Sequence, residues 1–355
     1  MRDLKRNKAV VGLSGGVDST AAVLLLKEQG FEVTGVYLDV LGDNIKGKES
    51  ALEIAKQLSI AFVSIDVSAE FEKVVISDFC NEYMNGRTPN PCVLCNPEVK
   101  FKNLVKAADE QGAYHISTGH YARSLYENSE NRYYISKAKS EDKDQSYMLY
   151  RLGQQVIERL ILPLGELESK HEVRRLVAEK GIKNADSRDS QEICFLPEGA
   201  HYADYLAARG YRAEKGDFID VSGKVIGRHN GIWNYTIGQR KKLGTTFGKP
   251  MFVLNIDHES NTVTLGSDGD LLNPEVISSC NWFPKCGCGE LPEEYKGLSV
   301  LAKVRYAAKA SEAVIEKIDG HSVKTVFAKA QRAVTPGQSI VFYSGDKVIG
   351  GGVIS

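Results

Sequence analysis

The stretch that decides the fold is Val10-Val11-Gly12-Leu13-Ser14-Gly15-Gly16-Val17-Asp18-Ser19. It joins a short β-branched run to an apolar segment of helical spacing through a Gly-Gly turn. Glycines let backbone N–H groups close around an anion, and a helix start adds partial positive charge. The stretch therefore predicts a phosphate-binding loop between a strand and a helix. Ser14 and Ser19 would supply hydroxyl donors, and Asp18 can hold a magnesium ion against phosphate oxygens.

This loop differs from the two commonest nucleotide-binding motifs. A Walker loop needs Gly-Lys-Ser or Gly-Lys-Thr, and a dinucleotide fingerprint needs another glycine spacing. A plain strand–turn–helix junction would explain a Gly-Gly turn alone. The complete string from Ser14 to Ser19 instead resembles the pyrophosphate-binding loop of the N-type ATP pyrophosphatases, the PP-loop superfamily. Its members include tRNA thiolases, lysidine synthetases and amidotransferase-type ligases, so the loop indicates adenylation chemistry but not the substrate.

Outward from the loop, strand and helix patterns alternate along the first third of the chain. Apolar runs predict strands at residues 8–13, 31–40, 61–67 and 114–120, and helical spacing predicts helices at 17–29, 48–58, 68–85 and 99–111. This alternation predicts an α/β, Rossmann-like fold, a parallel sheet with helices on both faces. Ligands of such sheets bind beyond the carboxyl ends of the strands, where the loop lies.

The pattern changes after about residue 195, where β-hairpin signals begin to dominate. Short strand-like runs are separated by the turn pairs Ser222-Gly223, Asp268-Gly269, Asp319-Gly320 and Ser344-Gly345. We expect a boundary within residues 271–284 and a barrel-like domain beyond it. The sequence thus predicts a PP-loop catalytic domain at 1–200, a small β-rich central domain at 201–272 and a C-terminal β-barrel domain at 273–355.

Composition sets broad limits on the class of protein. The chain has 355 residues, of which 42% are hydrophobic and 26% charged, the balance of a soluble globular protein with two or three domains. The longest apolar run, residues 21–26, is too short to span a bilayer, and no signal-peptide pattern precedes the first strand. We therefore expect a cytoplasmic protein without membrane contact. A net charge of −1 neither favours nor excludes a nucleic-acid partner.

Seven cysteines in a reducing compartment indicate catalysis, metal binding or burial rather than disulfides. Cys92 and Cys95 follow Pro89 and Pro91 in a segment that the two prolines make rigid. Cys194 lies between polar residues and Phe195. A thiolate is the nucleophile in persulfide chemistry, and it forms best near positive charge.

The other cysteines carry weaker signals. Cys80 has the pattern of a core residue in an amphipathic helix. Cys280, Cys286 and Cys288 match no common zinc spacing, and we interpret them as structural or idle. For Cys92 and Cys95, a Cys-x-x-Cys pair alone fits a metal or redox site as well as a catalytic one.

Eight blocks of the sequence resemble the tRNA-specific 2-thiouridylases (MnmA type) in the same order. The blocks are Gly12 to Ser19; Gly86 to Pro91 with Leu94-Cys95-Asn96; Lys100-Phe101-Lys102; Thr118-Gly119-His120-Tyr121; Lys143-Asp144-Gln145-Ser146-Tyr147; Ile193-Cys194-Phe195; Thr236-Ile237-Gly238-Gln239-Arg240-Lys241; and Val334-Thr335-Pro336-Gly337-Gln338.

The resemblance implies a role for each set of residues. ATP would be held by Gly12, Leu13, Ser14, Gly15, Gly16, Val17, Asp18 and Ser19 with Leu38 and Gly119, together with Mg²⁺. Cys194 would carry a persulfide received from a sulfur-relay or cysteine desulfurase protein, and Cys95 would be its catalytic partner. Asn90, Pro91 and Cys92 would surround the flipped wobble uridine of tRNA, which single-stranded loops make accessible. Other tRNA contacts would come from His120, Lys143, Asp144, Gln145, Arg305, Tyr306 and Gln338, and from the central domain.

One departure from the family keeps alternatives open. Most members have aspartate where this chain has Cys92. With Cys95 and Cys194, that thiol would suit a [4Fe–4S] cluster with one open iron, as in related thiolases. The change would equally suit a catalytically weakened tRNA-binding paralogue. A lysidine synthetase-like enzyme, which uses an amine nucleophile and needs no cysteine, is a further alternative.

Overall fold

The computed structural model describes residues 4–182, 184, 193–197, 199–244, 247–287, 289–319 and 321–355. The chain forms two compact units, each assembled from separate stretches. The first comprises Met1–Val75, Cys92–Gln191 and Ser344–Ile349, and the second comprises Ile76–Pro91, Glu192–Tyr343 and Gly350–Ser355. Within the described ranges, no helix combines the length and the apolar character needed to cross a membrane.

A five-stranded sheet, parallel in every pairing, forms the centre of the first unit. The strands of this unit are β1 (Lys5–Gly12), β2 (Glu32–Asp39), β3 (Ala61–Asp66), β4 (Ala113–Ser117), β5 (Arg123–Glu127), β6 (Arg132–Ser136) and β7 (Leu160–Ile161). The sheet has the order β3-β2-β1-β4-β7, and β5 and β6 form an antiparallel hairpin that is not part of it. The predicted α/β fold and its first four strands are confirmed, and the order reverses between β1 and β4.

The α-helices among the described residues are α1 (Val17–Glu28), α2 (Ile45–Gln57), α3 (Ser68–Phe71), α4 (Ser77–Met84), α5 (Pro91–Cys95), α6 (Lys102–Glu110), α7 (Gln154–Ile157), α8 (Lys170–Glu179) and α9 (Tyr202–Ala208). Helix α1 is buried almost all round, which explains its uninterrupted apolar run. Its Ala21 and Leu26 share one hydrophobic core with Val11 of β1 and with Val173 and Val177 of α8.

The cysteine-bearing segment is more helical than the sequence indicated. Its two prolines indicated a rigid segment, and a helix was expected only from residue 99. Instead α5 begins at Pro91, and a π-helical stretch, Asn96–Phe101, joins it to α6. Proline is well suited to a first helical position, because its missing N–H would have no partner there and its φ is already helical. Pro91 therefore starts a helix that contains Cys92 and Cys95.

A four-stranded sheet forms the middle part of the second unit. Its strands are β8 (Gly216–Ile219), β9 (Val225–His229), β10 (Phe252–Asp257) and β11 (Thr262–Gly266), in the order β10-β11-β8-β9. The predicted hairpin at Ser222-Gly223 is confirmed by the antiparallel pairing of β8 with β9. Phe218, Val253 and Leu265, all fully buried, form the core beneath the sheet.

A closed antiparallel barrel forms the last part of the second unit. Its strands are β12 (Leu272–Trp282), β13 (Ser299–Lys303), β14 (Ser311–Lys317), β15 (Val323–Arg332), β16 (Ser339–Ser344) and β17 (Lys347–Ile354). They neighbour one another in the order β12-β15-β14-β13-β16-β17, and β12 also pairs with β17, which closes the ring.

The expected boundary within residues 271–284 stays a prediction; most of this stretch is β12, which pairs with β15 and β17. One other expectation for the β-rich half is wrong. Asp268-Gly269 does not make a hairpin, because the turn Gly269–Leu271 connects β11 to β12 and these strands belong to different sheets. A turn dipeptide fixes only the local backbone, and long-range pairing decides which strands meet. Gly320 and Cys288 lie outside the described residues.

A short carboxyl-terminal stretch, residues 344–349, belongs to the first unit. Lys347 of β17 pairs with Ser136 of β6, and the Lys137 N–H donates to the Asp346 carbonyl at 3.0 Å. The Arg123 guanidinium contacts the Asp346 carboxylate at 3.1 Å. The amino end of β17 therefore extends the hairpin of β5 and β6.

A buried histidine fixes the loops of the middle sheet. His229 is 1% exposed; its Nε2 lies 3.1 Å from the Asn261 carbonyl, and its Nδ1 accepts from the Gly231 N–H at 3.1 Å. This pattern requires a neutral ring with the proton on Nε2. Burial is the main cause that lowers the pKa of His229 below its usual value.

We predict that this histidine makes the protein less stable in mild acid. Below about pH 6.5 the unfolded chain binds a proton that the folded ring resists, so the free energy of unfolding decreases as the pH falls towards the folded pKa. A His229→Gln variant should show a shallower loss of melting temperature between pH 7.5 and 5.5 than wild type. The other histidines contribute equally to wild type and variant, so their effect cancels when the two slopes are compared. A variant at exposed His258, His258→Gln, is the control, and equal slopes for wild type and His229→Gln would contradict the prediction.

Candidate nucleotide and cysteine sites

The Gly-Gly turn forms a tight loop between β1 and α1. Gly15 has φ +81°, and a Cβ there would lie 2.6 Å from Ser50 Oγ, so glycine is required. Gly16 occupies the N-cap position of α1 in an extended conformation, and no side chain among the described residues caps it. The first N–H groups of α1 are therefore available to an anion.

The two predicted serines close the loop from opposite ends. The Ser14 and Ser19 hydroxyl oxygens lie 3.2 Å apart, and the Ser14 N–H donates to Ser19 Oγ at 3.2 Å. Ser19 Oγ in turn donates to the Gly16 carbonyl at 3.0 Å. Both hydroxyls therefore face the same small loop, as the phosphate-binding hypothesis needs.

Gly119 lies directly against this loop. It follows β4, the parallel neighbour of β1, and a Cβ at this position would lie 2.8 Å from the Asp18 carbonyl carbon and the Ser19 nitrogen. The sheet order reverses between these two strands, which is where ligands of open α/β sheets bind. Leu38, half-buried, is near the end of β2 on the other side of β1.

Three side chains that the sequence did not assign complete the loop. Lys170 Nζ lies 2.6 Å from both carboxylate oxygens of Asp18, and the Tyr121 hydroxyl donates to Asp18 Oδ1 at 2.7 Å. Asn184 Nδ2 donates to the Gly15 carbonyl and to Thr20 Oγ1, both at 2.8 Å. No short sequence pattern marked Lys170, which lies outside the eight motif blocks. The same holds for Asn184.

Asp18 is suited to a magnesium ion. Its side chain is 34% exposed, beside a loop of N–H donors, and Mg²⁺ is usually held by one or two carboxylates together with phosphate oxygens and water. A metal cluster would need several protein ligands close together instead of one carboxylate. Over the described ranges, no group of three or more His, Cys, Asp and Glu side chains lies close enough together to hold a metal.

The two cysteines of α5 differ in exposure. Cys92 is exposed, whereas Cys95 is buried at 8% exposure. Asn96, which is 1% exposed, donates from Nδ2 to the Met148 carbonyl at 2.9 Å. This bond brings the Leu94-Cys95-Asn96 block together with the block that begins at Lys143.

The 143–145 segment is held by its own polar groups. Asp144 is buried, and its carboxylate accepts from the Ala138 N–H at 3.0 Å and from the Ser146 N–H and hydroxyl at 3.2 and 2.8 Å. Gln145 exchanges two hydrogen bonds with the Tyr121 backbone, at 2.7 and 3.0 Å. Lys143 is half-buried. The carboxylate of Asp144 thus serves to shape the loop.

His120 lies next to Gly119 and is half-buried. Thr118 Oγ1 and His120 Nδ1 are 2.7 Å apart, and the ring of Phe101 stacks on the imidazole at 5.9 Å between centroids. Burial, and then the nearby Lys100 ammonium, hold the pKa of His120 well below its usual value. The ring is therefore neutral at physiological pH.

In the second unit, two further sequence blocks meet. The Thr88 N–H donates to the Pro336 carbonyl at 2.8 Å, and Gln338 Nε2 donates to the Thr88 and Pro89 carbonyls at 2.9 and 3.2 Å. Gly337 has φ +88°, and a Cβ there would lie 2.9 Å from the Thr88 nitrogen and oxygen. The Val334–Gln338 block thus holds the backbone that leads into Asn90 and Pro91.

Cys194 is exposed and is followed by an aromatic anchor. Phe195 is buried, with its ring 5.0 Å from Phe79 and 5.5 Å from Tyr205. Residues 185–192 of the same motif lie outside the described residues. Cys80 is buried, as predicted.

Arg305 and Tyr306 are half-buried after β13, and the Lys303 ammonium lies 5.6 Å from the Tyr306 ring centroid. A partly exposed aromatic ring beside a lysine ammonium is compatible with an RNA contact.

The chain is similar over nearly its whole length to several named proteins. The tRNA-specific 2-thiouridylase MnmA 1 of Caldanaerobacter subterraneus subsp. tengcongensis is 44% identical, covering 98% of this chain and 98% of its own. The MnmA proteins of Clostridioides difficile and Carboxydothermus hydrogenoformans are 42% and 41% identical with the same coverage. This chain belongs to the tRNA-specific 2-thiouridylase family.

The 2-thiouridylase resemblance seen in the eight sequence blocks is thereby confirmed. Residues 7–198 match the model of a tRNA methyl transferase HUP domain, residues 203–267 that of a tRNA methyl transferase PRC-barrel domain, and residues 278–354 that of an aminomethyltransferase beta-barrel domain. In this 2-thiouridylase family member the loop, Gly119 and Cys95 belong to the first unit, and Cys194 belongs to the second.

We predict that Gln338 has a structural effect independent of any RNA contact. In a Gln338→Ala variant the carbonyls of Thr88 and Pro89 lose their donor, so the free energy of unfolding should fall by about 1–3 kcal/mol in chemical denaturation. The control is Gln331→Ala, whose amide donates to an exposed carbonyl that water can satisfy. That variant should lose less than about 0.5 kcal/mol. Equal losses in the two variants would count against this role.

Proposed function

We propose that this protein is a tRNA 2-thiouridylase. With ATP it would adenylate the C2 carbonyl oxygen of the wobble uridine and replace that oxygen with sulfur, giving 2-thiouridine, AMP and pyrophosphate. The observation that carries the proposal is the match over 98% of the chain to relatives with that name. The loop geometry and the presence of Cys95 and Cys194 support it.

The nucleotide step follows from the loop. Uridine O2 is a poor leaving group, and adenylation makes its departure easy. The uncapped N–H groups at the start of α1, with the Ser14 and Ser19 hydroxyls, would bind the pyrophosphate portion, while Leu38 and Gly119 would lie against the nucleoside. Bound Mg²⁺, held by Asp18, would neutralise charge on the departing pyrophosphate.

The sulfur step uses two cysteines. Cys194 would receive its outer sulfur from a sulfur-relay or cysteine desulfurase protein. The outer sulfur attacks C2 and AMP leaves. The Cys95 thiolate then attacks the inner sulfur, which forms a Cys95–Cys194 disulfide and releases the thiocarbonyl. A cellular thiol reduces the disulfide, so the cytoplasm, where thiols stay reduced, is the proposed compartment.

The tRNA contacts are assigned by the resemblance, and the structure suggests how they divide. We propose that Lys143, Arg305 and Tyr306 contact the RNA directly. Contacts to phosphates mainly fix the register of a protein on the nucleic acid. Asp144, Gln145 and Gln338 would contribute chiefly by holding the contacting backbone. Neutral His120 would border the base pocket formed by Asn90, Pro91 and Cys92.

The domain proposal keeps three parts with separate tasks. Residues 1–200 would carry the chemistry, 201–272 would contact tRNA, and the barrel at 273–355 would support the base pocket through Gln338.

Cysteine variants test the sulfur step. Cys95→Ser and Cys194→Ser should each reduce 2-thiouridine formation about 100-fold or more, as measured by mass spectrometry of digested tRNA after reaction with ATP and a persulfide donor. Pyrophosphate release that depends on tRNA should change much less, because adenylation precedes sulfur attack. Cys280→Ser, at an exposed cysteine, is the control.

The same experiment separates the alternatives. Thiolation that survives Cys92→Ser, in protein without bound iron, rules out a cluster ligated by that residue. Product formed by Cys194→Ser at the wild-type rate would favour amine-transfer chemistry, and no ATP consumption with tRNA would favour the binding paralogue.

Gly119→Ala tests the nucleotide site. The added methyl would press on the backbone of Asp18 and Ser19, so the start of α1 must shift and the Kd for ATP should rise by roughly tenfold or more in calorimetry. Gly269→Ala, where an added Cβ makes only ordinary contact at 3.9 Å, is the matched control. Unchanged ATP affinity in Gly119→Ala would argue against a nucleotide at this edge of the sheet.

A further inference from the structure

Lys170 is a partly buried cation in the first turn of α8 whose location the proposed function leaves unexplained. Its side chain is 12% exposed, and its ammonium contacts both oxygens of Asp18 at 2.6 Å. A cation at the amino end of a helix is disfavoured by the partial positive charge of the N–H groups there. Asp18, in the first turn of α1, offsets this in the structure described here.

This ion pair conflicts with metal binding by the same carboxylate. Magnesium lies about 2.0–2.1 Å from its oxygen ligands. An ammonium at 2.6 Å from both oxygens of Asp18 would then lie within a few ångströms of a divalent cation, and the two charges would repel strongly. Lys170 must therefore leave at least one oxygen when the ion arrives. The nearest new anion would be the phosphate chain bound to the amides of the same loop.

We propose that Lys170 is a pyrophosphate-binding residue of the nucleotide site. Its ammonium pairs with Asp18 in this structure and would move onto the β- or γ-phosphate when ATP and magnesium bind. The lysine would then neutralise charge on the pyrophosphate that departs during adenylation. This inference rests on the proposed function and adds a residue to its nucleotide site.

The surroundings of Lys170 allow this exchange without movement of the helix. Val173 and Val177, one and two turns further along α8, are fully buried in the core shared with α1. The Ser169 side chain caps α8 by accepting from the Glu172 N–H at 3.3 Å. The base of Lys170 is therefore fixed, and only its four-carbon stem needs to turn.

Tyr121 keeps the carboxylate oriented while the lysine moves. Its hydroxyl donates to Asp18 Oδ1 at 2.7 Å, and its ring centroid lies 5.7 Å from the Lys170 ammonium. When the lysine leaves, the hydroxyl still holds one oxygen and the other is open to the ion.

Binding measurements on Lys170→Met test the proposal. Methionine preserves the length and packing of the stem but removes the charge. By calorimetry with magnesium, the Kd values for ATP and inorganic pyrophosphate should rise roughly tenfold or more, whereas that for AMP should change less than about twofold. Lys180→Met, which removes an exposed lysine paired with Glu28 at 3.2 Å, should match wild type. Wild-type pyrophosphate affinity in Lys170→Met overturns the proposal.

Asp18→Asn gives an independent test with the opposite sign. In magnesium-free buffer with chelator, the neutral amide no longer competes for the lysine, so pyrophosphate should bind several-fold more tightly than to wild type. Unchanged or weaker binding overturns the proposal, whether or not Lys170→Met folds. If both tests fail while the Gly119→Ala and cysteine variants behave as predicted, the thiolase proposal still stands. Wild-type protein that binds neither ATP nor pyrophosphate overturns both.

Discussion

The nucleotide site depends on one close approach between backbones. Gly119, after β4, lies against the peptide that joins Asp18 to Ser19, after β1. Adjacent parallel strands deliver their following loops to the same edge of a sheet, and the absence of a Cβ lets the start of α1 come this near. The positions of Asp18, Lys170 and Tyr121 all follow from where α1 begins. The fold thus sets the site through a steric constraint as much as through any charged group.

The first unit could be predicted well because its signals are local. Each early strand and helix has its own period and its own glycine or polar stop, and parallel strands buried on both sides have little freedom in how they pair. Helix α5 was not predicted, because Pro91 indicated only a rigid segment, and composition does not separate a rigid loop from a helix start.

In the β-rich half, the pairings join residues far apart, such as Ser278 with Ile354, which no local pattern encodes. Strand β12 gives only a weak strand signal, because its first four residues are exposed and include Pro274.

The site was predictable to the extent that its residues lie in motifs. The loop glycines and serines could be assigned because phosphate binding imposes their spacing. Lys170 could not, since it reaches Asp18 from 152 residues away and no short pattern links the two. Asp144 and Gln338 show another limit. Both occur in motif blocks, yet their polar groups hold backbone, one within its own loop and one at a carbonyl 250 residues away. A polar residue in a functional motif can act by building the surface that its neighbours present.

The return of residues 344–349 to the first unit has a consequence for biosynthesis. Asp346, the partner of Arg123 and Ser136, lies 223 and 210 residues further along the chain. Domains usually fold in order as they emerge from the ribosome. Here the hairpin edge at β6 must stay uncovered until the barrel strands that precede residue 344 have also been made. A pause in translation between β6 and residue 344 would therefore leave the part that contains the nucleotide loop incomplete, although every residue of that loop had been synthesised.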